Sequence, residues 1–390
     1  MTDAYIVAAT RTAGGRKGGR LRDWHPIDLG AVVLDELAAR TRIDPAAVED
    51  VVMGCVSQVG EQSLNVARNA VLASKFPESV PGTSVDRQCG SSQQAFQFAA
   101  QAVMSGTMDV VIAAGVESMT RVPMGASVML SLKAGMGGPK SPRMETRYPG
   151  VQFSQFVGAE MLAKKYDLTR DELDEYGYRS QAKAIAATQK GAFKDEIVAI
   201  DGKDAEGNAV RHDVDEGIRF DASLAAVKGV KLLQEGGRIT AATSSQICDG
   251  ASGVMIASEK AIKLHGLKPM ARIHHLSVIG HDPVIMLEAP LPATERALKR
   301  AGMSIDDIDL FEVNEAFASV PVAWLKTLKA DPERLNVNGG AIALGHPLGA
   351  SGTKLMTTLV YALKARGKRY GLQTMCEGGG LANVAIVERL

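Results

Sequence analysis

The sequence contains an internal duplication, and no other feature restricts the fold of the chain as strongly. Segment 37–55 resembles segment 298–314, since each reads as the end of a helix, an acidic turn and an apolar strand. Segment 89–115 resembles segment 349–376 in the same way, with a Gly/Ser turn, a helix and a strand. Both matches lie at an offset of about 260 residues, which predicts two similar α/β halves. A coincidence between two common strand–helix units is the alternative interpretation.

Apolar strands alternate with amphipathic helices along the chain, a pattern typical of sheets covered by helices. Strands are predicted over 5–9, 50–55, 110–115, 253–257, 309–313, 371–376 and 383–387. Helices are predicted over 29–40, 65–74, 92–104, 170–190, 293–300 and 352–365. The pattern therefore predicts an α/β fold.

The duplication also suggests where the domains begin and end. Residues 1–118 are predicted to form the first half, completed by about 249–268, and residues 269–390 the second. Residues 119–248 are predicted to form an inserted loop domain, because their first part, 119–150, has five methionines among Gly, Pro and Ser with little periodicity. Such a stretch suits an adaptable apolar pocket or an oligomer contact. An ordinary loop on the protein surface is the alternative.

The charges of the chain are balanced, with 44 Lys and Arg against 44 Asp and Glu. A balanced surface does not attract nucleic acid or an anionic membrane over long range, so neither is expected as a partner. No apolar run approaches the roughly 18 to 20 residues that cross a bilayer, and membrane insertion is not expected. The first residues lack the pattern of a secretory signal, which predicts a cytoplasmic protein.

The four cysteines are widely spaced and include no Cys-x-x-Cys pair, which argues against a disulfide scaffold or a thiolate zinc site. His274 and His275 are adjacent on a predicted strand and should face opposite sides, so no metal site is predicted there. Cys55 and Cys248 have no setting that suggests reactivity and are predicted to be packing residues. The two remaining cysteines are different.

Cys89 stands in Asp86-Arg-Gln-Cys-Gly90, immediately before a predicted helix. A thiol at a helix N-terminus feels the positive end of the helix dipole, which lowers its pKa and favours the thiolate. The glycine that follows leaves the sulfur open to a substrate. Cys89 is therefore a candidate nucleophile, and a small core residue is the alternative.

His346 lies in a tight loop, Gly345-His-Pro-Leu-Gly-Ala-Ser-Gly352, that leads into another predicted helix. The proline after the histidine fixes the local backbone, and the glycines let a ligand approach closely. His346 is therefore a candidate base or oxyanion donor. A turn with a satisfied surface histidine is the alternative.

Two further candidates stand at predicted strand ends. Cys376 is followed by glycines 378–380, whose backbone N–H groups can stabilise an oxyanion while the thiol moves a proton. Asn314 and Glu315 end another strand, where α/β sheets usually bind ligands. The alternative is that either strand end is only an ordinary turn.

Two thiols, one histidine and one asparagine suit a carbon–carbon bond reaction between thioesters. A thiolate can take an acyl group from coenzyme A at little thermodynamic cost, because one thioester replaces another. A second weak acid can then exchange the Cα proton of an acyl-CoA, provided that donors stabilise the enolate.

On these residues the sequence resembles the thiolase family over essentially its whole length. The motifs that carry the resemblance are Arg11-Thr12 with the glycines of 14–19, Cys89-Gly-Ser-Ser92, Gly115-Val-Glu-Ser-Met119, Asn314-Glu-Ala-Phe317, Asn338-Gly-Gly-Ala-Ile-Ala-Leu-Gly-His346-Pro347 and Cys376-Glu-Gly378. The resemblance implies a thiolase-like α/β fold, with two duplicated α/β/α layered halves and a loop domain between them. It also implies assembly as a dimer or as a tetramer of dimers.

The resemblance implies a role for each matching residue. Cys89 would be the acylated nucleophile, and His346 would activate it. His346 and a water held by Asn314 would stabilise the enolate oxygen, while Cys376 would be the acid/base at the acetyl Cα. The backbone N–H groups of Cys89 and Gly378 would hold the oxyanion of the tetrahedral intermediate.

The implied substrates are acyl-CoA and coenzyme A, and Arg219 and Ser245 fall where family members contact the CoA nucleotide and pantetheine. The implied reaction is the reversible CoA-dependent cleavage of 3-ketoacyl-CoA to acetyl-CoA and a shortened acyl-CoA, as in fatty acid β-oxidation. Formation of acetoacetyl-CoA from acetyl-CoA is the related alternative. Coenzyme A is a cosubstrate, and no other cofactor is expected.

One departure from the family pattern bears on the substrate. Short-chain biosynthetic thiolases usually have a His-Met pair shortly before an Ala-Glu pair of the loop domain, and segment 153–160 has neither residue of that pair. Segment 86–95 also looks more like degradative members, including some that act on bulky acyl chains. A medium or bulky acyl group is therefore expected.

Two other functions compete with this interpretation. A decarboxylating ketosynthase on a related fold would carry a histidine or asparagine in place of Cys376. A catalytically silent acyl-CoA or lipid-binding protein would lack the nucleophile or the histidine.

Overall fold

The computed structural model describes residues 2–390, which form one large mixed sheet covered by helices. The strands are β1 (Ala4–Thr12), β2 (Gly15–Arg16), β3 (Asp50–Gly54), β4 (Gly82–Val85), β5 (Val110–Ser118), β6 (Ile197–Val198), β7 (Ile200–Lys203), β8 (Ala209–His212), β9 (Cys248–Ser258), β10 (Ala271–Gly280), β11 (Leu310–Val313), β12 (Tyr370–Glu377) and β13 (Leu381–Arg389). The helices are α1 (Pro26–Thr41), α2 (Val66–Ala73), α3 (Ser91–Met104), α4 (Ala126–Lys133), α5 (Pro142–Arg147), α6 (Gln155–Lys165), α7 (Arg170–Gln189), α8 (Leu224–Lys228), α9 (Glu259–His265), α10 (Pro290–Ala301), α11 (Ser319–Leu328), α12 (Ala341–Leu344) and α13 (Ser351–Arg366).

The sheet repeats one strand ladder twice, which confirms the duplication. In the first half β3 is parallel to β5, and β9 is antiparallel to both β5 and β1. In the second half β11 is parallel to β12, and β13 is antiparallel to both β12 and β10. The two ladders join where β1 and β10 run antiparallel, with Tyr5 opposite Arg272 and Ile6 opposite Ala271.

The helices add three layers to the two halves of the sheet. Helices α1 and α2 cover one face of the first half, with Leu34 and Val66 in that core. Helices α10 and α11 cover the outer face of the second half, where Trp324 is fully buried. Helices α3 and α13 pack on the remaining faces of both halves, as the shared core around Phe96 and Leu359 shows. The result is the layered α/β fold that the sequence predicts.

The starts of α3 and α13 touch each other at the centre of the molecule. A Cβ at Gly352 would lie 2.0 Å from the backbone nitrogen of Gln93, so only glycine permits this approach. The backbone N–H of Thr353 donates to Ser92 Oγ at 3.0 Å. The loops that precede the two helices, which carry Cys89 and His346, are thereby brought to the same region.

The seven predicted strands and six predicted helices are confirmed, most with ends shifted by a few residues. The largest extension is β9, which begins at Cys248 rather than at residue 253 because small buried residues continue its pairing with β5 to Asp249. Helix α11 was not predicted, because Pro321 argues against a helix in the sequence. The proline lies in the first turn, where its missing N–H removes no hydrogen bond within the helix. Strand β10 is bulged beside His274, so the simple alternation assumed for His274 and His275 is interrupted there.

The segment 119–248 contributes helices α4 to α8 and the hairpin of β7 and β8. Its short strand β6 joins the main sheet beside β1, where Ile197 lies opposite Arg11. The sheet runs through both halves without a break, so the division at 118, 248 and 269 stays a prediction. Within residues 2–390, no helix is long and apolar enough to cross a membrane, and no group of three or more His, Cys, Asp or Glu could hold a metal ion.

Arg11 fastens the segment 119–248 to the first half. Its side chain is fully buried on β1, with Nε 2.6 Å from Glu196 Oε1 and Nη1 2.8 Å from Asp215 Oδ1. Burial alone would raise the pKa of Asp215, but the charges of Arg11 and then of Lys354 hold that pKa below its ordinary value. One cation therefore holds two carboxyl groups in the interior.

We expect Arg11→Met to lower the free energy of unfolding by about 3–5 kcal/mol, because Glu196 would stay buried without its cation and Asp215 would keep only Lys354, 3.9 Å away. Arg179→Met is the control, since it removes an ion pair with Glu333 whose side chains are 47% and 74% exposed. The control should cost less than about 1 kcal/mol. Urea denaturation followed by circular dichroism measures both, and equal losses would contradict the role given to Arg11.

Candidate active site

Cys89 lies at the predicted helix start, two residues before the first residue of α3. The preceding Gln88 has a φ of 49°, and its backbone N–H donates to Asp86 Oδ1 at 2.7 Å, so the backbone turns sharply in front of the thiol. Burial, followed by the carboxyl group of Glu377, raises the pKa of Cys89 to about 12. The expectation that the helix start lowers this pKa is wrong, because the cost of burying a thiolate outweighs the helix dipole.

Cys376 is the second-last residue of β12 and is fully buried. Burial, and then the nearby Cys89, raises its pKa well above the ordinary value for a thiol. The loop that follows it lies against the Cys89 loop, since a Cβ at Gly378 would be 3.0 Å from Gln88 Cγ. The structure thus brings Cys89, Cys376 and Gly378 together, as the sequence predicts.

Glu377 is a polar neighbour of both thiols that the sequence analysis did not single out. Its carboxyl group is buried, and its Oε1 accepts from the backbone N–H of Asn383 at 3.1 Å. A Cβ at Gly90 would lie 2.0 Å from the same oxygen. Burial raises the pKa of Glu377 to about 8. An acidic residue beside glycines looks like part of a surface turn in a sequence, and only the packing of β12 against α3 reveals its burial.

His346 is buried and its ring is held at both nitrogens. Nδ1 is hydrogen-bonded to Ser351 Oγ, and that hydroxyl donates its own proton to the Pro347 carbonyl at 2.8 Å. Nδ1 must therefore carry the ring proton, which leaves the lone pair on Nε2. Nε2 lies 3.4 Å from Asn314 Nδ2. Burial, and then the charge of Lys354, lowers the pKa of His346 to about 3, so the imidazole is neutral.

The His346 loop requires glycine at its first position. Gly345 has a φ of 81°, and a Cβ there would lie 2.6 Å from Cys248 Sγ. Lys354 Nζ donates to the Gly345 carbonyl at 3.1 Å. Cys248 and Cys55 are both buried, which confirms them as packing residues.

Asn314 and Glu315 follow β11 and serve different purposes. Asn314 is buried beside the imidazole, as described above. Glu315 instead accepts hydrogen bonds from Tyr176 at 2.8 Å, Ser180 at 2.7 Å and Asn336 at 2.9 Å. Glu315 therefore fixes the strand end to α7, and the imidazole is not among its hydrogen-bond partners.

Glu117, at the end of β5, connects the two halves behind the site. Its buried carboxylate accepts from the backbone N–H groups of Val56 at 2.9 Å and Ser57 at 3.0 Å, and from Gln62 Nε2 at 3.0 Å. It also accepts from the backbone N–H of Gly349 at 2.9 Å, in the loop that carries the histidine. This carboxylate fixes the position of one loop relative to the other.

Arg219 and Ser245 lie in the wall of a cavity of about 450 Å³ that also contains His346. Arg219 is exposed and Ser245 is half-buried. Among the residues that the structure describes, neither Cys89 nor Cys376 is in this wall. The cavity is largely apolar, and the side chains that make it so are Met119, Met124, Phe156, Leu233, Ile247, Phe317 and Leu348.

The methionines of 119–150 therefore divide into two groups. Met119 and Met124 line the cavity, as the pocket interpretation requires. The remaining three are exposed, as in an ordinary surface loop: Met129 by 66%, Met136 by 73% and Met144 by 39%.

The arrangement can support acyl transfer followed by proton transfer at carbon. One thiol precedes a helix, a second thiol lies at the end of β12 before a loop that packs against the first, and a neutral imidazole faces an amide. An imidazole that is unprotonated at Nε2 can take a thiol proton. Backbone N–H groups at the helix start and in the glycine loop are available for an oxyanion.

Comparisons with known proteins match nearly the whole chain to one family. The model for the thiolase N-terminal domain matches residues 4–260, and the model for the thiolase C-terminal domain matches residues 267–389. A steroid 3-ketoacyl-CoA thiolase of Mycobacterium tuberculosis is 53% identical, over 100% of this chain and 95% of that protein. A 3-ketoacyl-CoA thiolase of Yersinia enterocolitica is 43% identical, over 100% of both chains.

Solved structures show the same likeness. The acetyl-CoA acetyltransferase of Bacillus anthracis matches with a TM-score of 0.91 and 35% identity, over 100% of this chain and 99% of that one. The human mitochondrial 3-ketoacyl-CoA thiolase matches with a TM-score of 0.90 and 34% identity, with the same coverage. Because the two family models together account for nearly every residue, the chain belongs to the thiolase family.

Proposed function

We propose that this chain catalyses the reversible CoA-dependent thiolytic cleavage of 3-ketoacyl-CoA to acetyl-CoA and a shortened acyl-CoA, in the degradative direction. The observation that carries the proposal is the contact between the Cys89 and Cys376 loops, near a buried histidine that is neutral. The family and the names of the relatives support the same reaction. The proposed reaction needs no cofactor, because coenzyme A is consumed as a cosubstrate.

The first half-reaction would break the bond between C2 and C3 of the substrate. His346 Nε2 takes the proton of the Cys89 thiol as the sulfur attacks the C3 carbonyl. The backbone N–H groups of Cys89 and Gly378 stabilise the oxyanion of the tetrahedral intermediate. When the C2–C3 bond breaks, the acyl group stays on Cys89, and the Cys376 thiol protonates the Cα of the leaving acetyl-CoA enolate.

The enolate needs a donor at its thioester oxygen while the bond breaks. Protonated His346 can supply Nε2–H, and a water held by Asn314 can supply a second donor. In the second half-reaction, the Cys376 thiolate takes the thiol proton of coenzyme A, whose sulfur attacks the acyl group on Cys89. Protonated His346 then returns its proton to the departing Cys89 sulfur. The released acyl-CoA is two carbons shorter, and the Cys89 thiol is regenerated.

Coenzyme A would enter through the cavity that contains Arg219, Ser245 and His346. The exposed Arg219 can pair with a phosphate of the nucleotide at the mouth. Ser245 lies deeper, where a hydroxyl can bond to an amide of pantetheine. The apolar remainder of the wall suits a medium or bulky acyl group better than acetoacetyl alone.

We also infer that the protein is a cytoplasmic homo-oligomer, a dimer or a tetramer. Strand β4 is at the edge of the sheet and pairs only with β3. Large apolar side chains are exposed elsewhere on the chain, including Leu64 at 88% and Met136 at 73%. Exposed apolar surface of this kind favours association with further copies.

The roles of the two thiols can be separated with labelled acyl-CoA. Cys89→Ala should take up no label, whereas Cys376→Ala should still be acylated on Cys89. Cys376→Ala should slow exchange of the acetyl-CoA methyl protons by about 10²-fold or more, the usual cost of a lost general acid/base. Cys55→Ala controls for the loss of a buried thiol and should keep both activities. Label on Cys376, or wild-type exchange in Cys376→Ala, would contradict the assignment.

The pKa values predict how Cys89 reacts with pH. Since the pKa of Cys89 is raised to about 12 and that of His346 is lowered to about 3, both groups are neutral in the free enzyme. The thiolate is the reacting species, so alkylation by iodoacetamide should rise about tenfold per pH unit from roughly pH 6 to 9. Peptide mapping follows the modified residue. A rate independent of pH in this range would indicate a preformed thiolate–imidazolium pair instead.

The apolar cavity predicts the preferred chain length. Each buried methylene should favour a longer acyl chain by up to about 0.8 kcal/mol. We therefore expect kcat/KM for thiolysis to rise from acetoacetyl-CoA to medium or bulky 3-ketoacyl-CoA, measured as loss of substrate over a ladder of chain lengths. A maximum at acetoacetyl-CoA with a steep fall afterwards would indicate a short-chain acetyltransferase.

A further inference from the structure

Glu312 is a buried carboxyl group near the His346 loop that no step of the proposed reaction uses. It lies on β11, two residues before Asn314, and is 1% exposed. Neither of its oxygens has a hydrogen-bond partner in the protein. Because an unpartnered ionised carboxylate is very costly in the interior, the surroundings must supply a proton and a polar ligand.

Glu312 and Asn314 share the wall of a small cavity behind the His346 loop, with a volume of about 10 Å³. This is about the space that one water molecule requires. Ser351, Lys354 and other residues complete the wall, and their polar atoms already have partners. The unpartnered side-chain atoms in this wall, among the described residues, are the oxygens of Glu312 and Asn314 Oδ1.

The nearby charges favour a protonated Glu312. The cations that favour its ionised form, Lys183 and then Arg11, are bound elsewhere, Lys183 to the Leu335 carbonyl and Arg11 to Glu196 and Asp215. Burial, and then the carboxyl groups of Glu315 and Glu196, raises the pKa of Glu312 well above its ordinary value. A protonated carboxyl group has an O–H to donate, which Asn314 Oδ1 lacks.

We propose that Glu312 and Asn314 bind one water molecule in this cavity, and that Glu312 thereby positions the Asn314 amide against His346. The water accepts the Glu312 O–H and donates to Asn314 Oδ1. With Oδ1 held, Nδ2 stays on the side of the reaction, 3.4 Å from His346 Nε2, where it can hold the water that donates to the enolate oxygen. Without the buried water, the amide can turn over and present its oxygen there instead. Glu312 is then a positioning residue, which acts on the reaction only through Asn314.

Two substitutions separate positioning from packing. Glu312→Gln keeps a donor and an acceptor, and it should retain kcat and KM within about twofold. Glu312→Met keeps the volume and removes both, and it should lower kcat for thiolysis by about tenfold at unchanged KM. The thermal midpoint of Glu312→Met should not fall, since an apolar side chain of similar size replaces an unpartnered polar one. Wild-type kinetics in Glu312→Met would overturn the proposal.

A double-mutant cycle tests the route through Asn314. In an Asn314→Ala background, Glu312→Met should cause no further loss, because the amide that it positions is gone. Losses that multiply would show that Glu312 acts otherwise, and would overturn the proposal.

A crystal structure of the wild-type protein at high resolution tests the water itself and keeps the proposal falsifiable even if Glu312→Met does not fold. One ordered water within hydrogen-bond distance of both Glu312 and Asn314 Oδ1 is expected, and its absence would overturn the proposal. The kinetic experiments rest on the proposed function, whereas the crystal structure does not. An inactive wild-type enzyme that held the water would therefore count against thiolysis alone.

Discussion

The geometry of the site depends on one buried carboxylate and the bare backbone around it. Glu117 holds the backbone N–H of Gly349, so the loop of the second half is fixed to the first half. The approach is possible because Gly115 has no side chain, since a Cβ there would lie 2.3 Å from the Gly349 carbonyl oxygen. The loop that carries His346 is thus held against the first half by a contact between backbones. A larger residue at Gly115 would act on catalysis without touching any reacting group.

Much of this site could be predicted from the sequence, because its chemistry is concentrated in short motifs at strand ends and helix starts. Cys89, His346 and Cys376 all stand in such places, and the structure brings their loops to one region. Residues whose role depends on packing have no comparable motif in the sequence. Ser351 reads as an ordinary helix residue, and its bond to His346 exists only because the loop folds back. Glu377 looks like a polar turn residue until β12 packs against α3.

Charge states are harder to predict than positions, because they depend on the whole surrounding fold. A helix start is a local feature, and on its own it favours a Cys89 thiolate. Burial depends on all the strands and helices that pack around a residue, and it raises the pKa of the Cys89 thiol to about 12. It also lowers the pKa of His346 to about 3. The sequence therefore identifies which groups take part, while the fold decides which of them carries the proton at rest.

The strand order has a consequence for the chain while it is being synthesised. Strand β13 lies in the interior of the sheet, between β12 and β10, although it is the last strand in sequence. Cys89 leaves the ribosome some three hundred residues before this strand can insert. Until then Gly378 and Cys376 have no framework, so the nucleophile lacks the oxyanion donor of Gly378 and its acid/base. The catalytic residues can therefore come together only after synthesis of the chain is almost complete.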